Sequence, residues 1–73
     1  MRTRYRHIHF EQTILEGNWN CINNKSGEVL ATISWYRPWK RYVFSQECEM
    51  VVFDINCLKD IIDFIKQVPP MPS

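Results

Sequence analysis

The sequence predicts an α+β domain: an antiparallel sheet of three to four strands with one C-terminal α-helix packed on one face. Three observations carry this. Short segments of apolar–polar alternation recur between residues 4 and 53, separated by Gly, Asn and Pro punctuation. One helical period follows, from Ile55 to Val68. A chain of 73 residues allows a single domain with a small core.

The elements follow in order. Residues 4–15 read as extended, with Ile8 and Phe10 alternating against His7, His9 and Glu11. Glu16-Gly17-Asn18 is a turn signal, and Trp19 to Asn23 a short second strand. Asn23-Asn24-Lys25-Ser26-Gly27 suits a hairpin loop, because Asn tolerates and Gly readily adopts positive φ. Glu28 to Tyr36 is the longest strand segment. It places Val29, Ala31, Ile33 and Trp35 on one face and Leu30, Thr32, Ser34 and Tyr36 on the other, as expected of a central strand. Arg37-Pro38-Trp39-Lys40 forms the next turn, since Pro38 has no N–H to donate to a ladder. Arg41 to Ser45 returns as a strand, Gln46 to Glu49 is a polar loop, and Met50 to Phe53 is a short apolar run.

Asp54 is the expected N-cap, a carboxylate facing the free N–H groups of the first turn. The apolar residues from Ile55 to Val68, with Cys57, fill one half of the helical wheel and polar residues the other. Leu58, Ile61, Ile62 and Ile65 are therefore the expected helix contribution to the core. Pro69 and Pro70 stop the helix. Residues 1–68 thus form one sheet-plus-helix domain, and 69–73 a Pro-rich tail. Pro69 and Pro72 have the P-x-x-P spacing of ligands for proline-recognising domains, against the plainer reading of a helix stop with a frayed end.

Composition narrows the function. The aromatic content of 14% and a net charge of +1 argue against disorder, and against a global pull toward nucleic acid or anionic membrane. No apolar run approaches the roughly 18 residues a membrane span needs. Cys21, Cys48 and Cys57 are odd in number and lack C-x-x-C spacing, so reduced thiols in a cytoplasmic protein are expected rather than a disulfide framework or zinc site. Met1 to Arg6 is basic but has no apolar stretch after it, so it does not read as a secretory signal.

Four groupings could carry chemistry. Around the 35–42 hairpin, Trp35, Tyr36, Trp39 and Tyr42 interleave with Arg37, Lys40 and Arg41, the residue types of protein interfaces and of single-strand nucleic-acid platforms. Their plainer role is cross-strand pairing, Trp35 with Tyr42, and a solvated tip. Charge is also uneven. From Tyr42 onward five carboxylates face two lysines, a balance of −3, whereas the preceding residues balance at +4. Arg2, Arg4 and Arg6 contribute to that basic part. His7, His9 and Glu11 share a strand face and could ligate a divalent metal, although no fourth ligand is identifiable and an exposed polar face looks the same. A His9–Cys57 pair lacks an orienting group and an oxyanion hole. No catalytic residue, metal site or cofactor is assigned.

The segments Trp-Lys-x-Tyr-Val-Phe (Trp39 to Phe44) and Cys-Leu-x-x-Ile-x-x-Phe-Ile (Cys57 to Ile65) resemble small uncharacterised open reading frames of bacterial, phage or mobile-element genomes. The resemblance spans most of residues 8–67 and implies no activity. In architecture alone, a three-stranded sheet with a C-terminal helix resembles the arm-binding domains of tyrosine integrases, DNA-binding sheets from which this chain departs in charge. The expected function is a non-catalytic interaction module that binds a protein partner or itself. Its expected surface is the open sheet face and the 35–42 hairpin, with Tyr36, Arg37, Trp39, Lys40, Arg41 and Tyr42 as binding residues. The alternative is a nucleic-acid-binding module using the same hairpin and the basic N-terminus.

Overall fold

The computed structural model describes residues 1–71. Four strands form an antiparallel sheet in sequence order: β1 (Ile8–Gln12), β2 (Asn18–Asn23), β3 (Val29–Tyr36) and β4 (Arg41–Gln46). The helix α1 (Ile55–Gln67) packs on one face. This is the α+β arrangement that the alternation and the single helical period predict.

Register sorts the two faces, because residues directly opposite one another share a face. The row Gln12–Trp19–Ile33–Phe44 lies on the helix side, as does Phe10–Cys21–Ala31–Gln46. The row Glu11–Asn20–Thr32–Ser45 crosses all four strands on the opposite side. The uncovered face is therefore mainly polar. The sequence reading places Val29 on the face of Ala31, and the structure corrects this. The β2–β3 register shifts between Cys21 and Ile22, leaving Leu30 as the extra residue of a bulge. Leu30 and Ala31 are both buried, and Val29 is turned to solvent.

Turn chemistry fixes the hairpins. Asn23 Oδ1 accepts from the backbone N–H groups of Lys25 and Ser26, and Gly27 closes the loop at φ +76°. The β3–β4 loop is closed by Trp39 N–H donating to Tyr36 O, with Lys40 in the left-handed region at φ +51°. Asp54 caps α1: its Oδ1 accepts from Cys57 N–H at 2.8 Å.

The helix is rotated relative to the expectation. Phe64 is fully buried, stacked on Phe10 of β1 at 3.9 Å between centroids and edge-on to Trp19 of β2 at 5.0 Å. Ile61 and Val68 are buried beside it, and Ile65 is partly so. Leu58 and Ile62, expected in the core, are 44% and 53% exposed. A wheel with an apolar half can dock through only part of that half, and the large planar ring of Phe64 takes the contact.

The N-terminal segment does not extend β1 backwards. It turns at Tyr5, whose N–H donates to Ile8 O, and runs back along β1, where Phe10 N–H donates to Thr3 O. This arm is tied to the helix. Tyr5 Oη donates to Asp63 Oδ2 at 2.7 Å, and Arg2 N–H donates to Gln67 Oε1 at 2.7 Å. Residues 69–71 also engage the fold: Tyr42 Oη donates to Pro69 O, and Met71 lies against Gly17. The P-x-x-P spacing ends at Pro72, outside the described residues.

Candidate functional site

The β3–β4 hairpin divides its aromatic residues between two surroundings. Trp35 and Tyr42 are opposite one another on the helix side, edge-on at 5.0 Å, the cross-strand pair expected of a stabilised hairpin. Tyr42 packs against the core, and burial raises its phenol above the ordinary range. With its hydroxyl on Pro69 O, it pegs the C-terminal residues to the sheet.

Tyr36 and Trp39 form a second pair, edge-on at 4.9 Å, and it stands in solvent. Trp39 is 66% exposed. The turn produces this placement: Tyr36 ends β3, and Pro38 together with the left-handed Lys40 carries Trp39 back toward the Tyr36 ring. Arg37 and Lys40 flank Trp39 in the same turn, Arg41 pairs opposite Tyr36, and all three are exposed. The structure thus brings Tyr36, Arg37, Trp39, Lys40 and Arg41 into one tip and sets Tyr42 apart from them.

Arg2 and Arg4 hold the arm in place, and Arg6 is exposed. The Arg2 guanidinium lies 4.3 Å from the centre of the Tyr5 ring, and Arg4 Nη1 donates to Asn24 Oδ1. Asn24 is a hub that the sequence marks only as a loop residue. Its Nδ2 donates to Tyr5 O and Arg6 O, and its backbone N–H donates to His7 O. Its Oδ1 also faces His9 Nδ1 at 2.6 Å, while His9 Nε2 lies 3.0 Å from Glu11 Oε2. Among the described residues, no group of three His, Cys, Asp or Glu side chains comes together around a common point.

His9 and Cys57 stand on opposite sides of the sheet, since His9 shares the open face with Ile22, and Cys57 lies on the helix that covers the other. Burial, followed by the neighbouring Asp54, pushes the Cys57 thiol up, opposite to what an activated nucleophile requires. Burial pushes the Cys21 thiol to about 12. Among the described residues, no helix is long and apolar enough to cross a membrane. No protein-family model matches the chain, and no curated protein or solved structure is significantly similar to it.

Proposed function

We propose that the chain is a non-catalytic interaction module that docks a protein partner through the tip of the β3–β4 hairpin. The observation that carries this reading is the exposed Tyr36–Trp39 pair in a turn that also carries the exposed Arg37, Lys40 and Arg41. A large ring left in water gains most when a partner desolvates it, and Trp, Tyr and Arg dominate interface energetics. Lys40 adds support: a side chain in the left-handed region costs roughly 1–2 kcal/mol that glycine would avoid.

A protein partner is favoured over nucleic acid on two grounds. The two rings pack edge-on against each other rather than lying open as base platforms. Arg2 and Arg4 are used to hold the arm, so they do not enlarge the basic tip. The three free cysteines support a cytoplasmic setting, and the resemblance carried by Trp39 to Phe44 and Cys57 to Ile65 supports an accessory role in a phage or mobile element. Genes of that kind are its expected genomic neighbours, and a housekeeping operon contradicts that origin.

The test is photo-crosslinking from Trp39→p-benzoylphenylalanine in cells that express the chain. The expected result is a protein adduct, either to another polypeptide or to a second copy, reduced by Tyr36→Ala. Adducts confined to nucleic acid, or none at all, overturn the reading. In parallel, Trp39→Ala leaves the melting temperature nearly unchanged and weakens partner binding by about 2 kcal/mol. A large loss of stability would mean that the ring is structural.

A further inference from the structure

The two edges of the sheet are treated differently. The N-terminal arm lies along β1 and bonds to it through Phe10 N–H and Thr3 O. Along β4, among the described residues, no segment other than β3 makes a backbone–backbone hydrogen bond; the following segment is held only through the Gln46 side chain, whose Nε2 donates to Cys48 O and Val51 O. Glu47 N–H donates to Leu30 O, extending the β3–β4 ladder by one pair. In an antiparallel ladder the bonded pairs alternate. Residues 41, 43, 45 and 47 therefore turn their backbone groups toward β3, and Tyr42, Phe44 and Gln46 turn theirs outward. Edges that avoid pairing carry proline, a bulge or an inward charge. β4 reads Arg-Tyr-Val-Phe-Ser-Gln, its register with β3 is unbroken, and its one charge is on its first residue.

Charge along this edge is polarised. Arg37, Lys40 and Arg41 stand at its beginning, and Glu47 and Glu49 just past its end, all exposed. Among the described residues none of these side chains has an oppositely charged partner within 4.0 Å, the one such contact being His9–Glu11. An antiparallel copy of the same strand would bring the basic end against the acidic end at both ends of the seam. A parallel copy would bring like against like.

We propose that a second copy of this chain pairs its β4 with this edge, antiparallel, about a two-fold axis at Phe44. The proposal rests on the interaction-module reading and goes beyond the hairpin tip to the adjoining β4 edge, with a second copy as its partner. Centred there, all three outward residues of each strand find bonding partners: Phe44 faces the partner's Phe44, and Tyr42 faces the partner's Gln46. Arg41 then stands opposite the partner's Glu47, twice. The contact is isologous and closes on itself, so it ends at a dimer rather than a fibre. It joins the two sheets into one and covers Phe44, which is only partly buried in the single chain.

The experiment is sedimentation equilibrium of the full chain over a concentration series, with Arg41→Glu, Glu47→Arg and the double variant. The wild type is expected to dimerise. Each single reversal places like charges opposite one another and weakens the dimer by roughly tenfold or more. The double reversal restores it. All three variants keep the wild-type circular dichroism, because both side chains are exposed. A wild type that stays monomeric to about 1 mM overturns the proposal, as do single reversals without effect. A double variant no tighter than the singles overturns this register. If the chain is monomeric yet crosslinks to a different protein from position 39, self-pairing falls and the interaction reading stands. If it neither dimerises nor crosslinks, both fall.

Discussion

Ile61 and Ile62 are adjacent, chemically identical and equally apolar to any sequence scale, yet the fold treats them differently. Ile61 is 3% exposed, whereas Ile62 is just over half exposed. Ile61→Ala removes buried methyl groups and leaves a cavity beside Phe64, in a core that one short helix and one sheet face supply. Such a change costs about 2–5 kcal/mol. Ile62→Ala removes atoms that are largely wet and leaves no cavity, so its cost is within about 1 kcal/mol. For a domain this size each kcal/mol moves the midpoint by about 4–8 °C. The first variant should therefore melt at least ~4 °C lower than the second, and about 10–20 °C lower at mid-range costs. The total stability of so small a domain is only about 3–5 kcal/mol, so Ile61→Ala should also show a substantial unfolded fraction at room temperature. Thermal and urea melts of the two variants, followed by circular dichroism, make the comparison. Equal losses would show that the helix is not docked through Phe64 and would refute the rotation described above.

Other outcomes follow from single groups. The phenol of Tyr5 is pushed up to about 12, first by burial and then by its bond to Asp63, so stability is expected to be complete below pH 10 and to fall as pH rises from 10 toward 12. Tyr5→Phe should cost about 1–2 kcal/mol at neutral pH and flatten that alkaline slope in pH-dependent urea melts. Asp54 is held below the ordinary carboxylate range, chiefly by accepting the Cys57 backbone N–H. Its contribution is present above about pH 4 and lost as pH falls below that, a dependence that Asp54→Asn should remove while retaining the cap and Asp54→Ala should remove along with it. Thiol labelling of the folded chain should proceed first at exposed Cys48 and more slowly at Cys57. Buried Cys21 should react only on unfolding, and a Cys21 that labels as fast as Cys48 would contradict the described core.

Much of this protein was legible in local sequence. Alternation placed β2, β3 and β4 to within a residue at each end and marked the first only as an extended stretch over residues 4–15, and Asn23 and Gly27 marked the β2–β3 hairpin. Asp54 and Pro69 bounded the helix. These are local effects: backbone sterics, capping and side-chain period act within a few residues, so a window of sequence contains their causes. The exposure of Trp39 was readable for the same reason, because Pro38 and its turn leave that ring no route to the core. Tyr42 was not readable as a peg, since its anchor is the carbonyl of Pro69, 27 positions away. The rotation of α1 was hidden as well. Half the wheel is apolar, and only the stacking of Phe64 on Phe10 decides which part of that half is buried. The bulge at Leu30 and the Asn24 hub likewise depend on distant strands meeting. The bare β4 edge required the strand order, and the closed β1 edge required the arm to turn at Tyr5. Local chemistry chose the elements of this domain. Contacts between residues far apart in the chain chose which faces they bury and which edge they leave open.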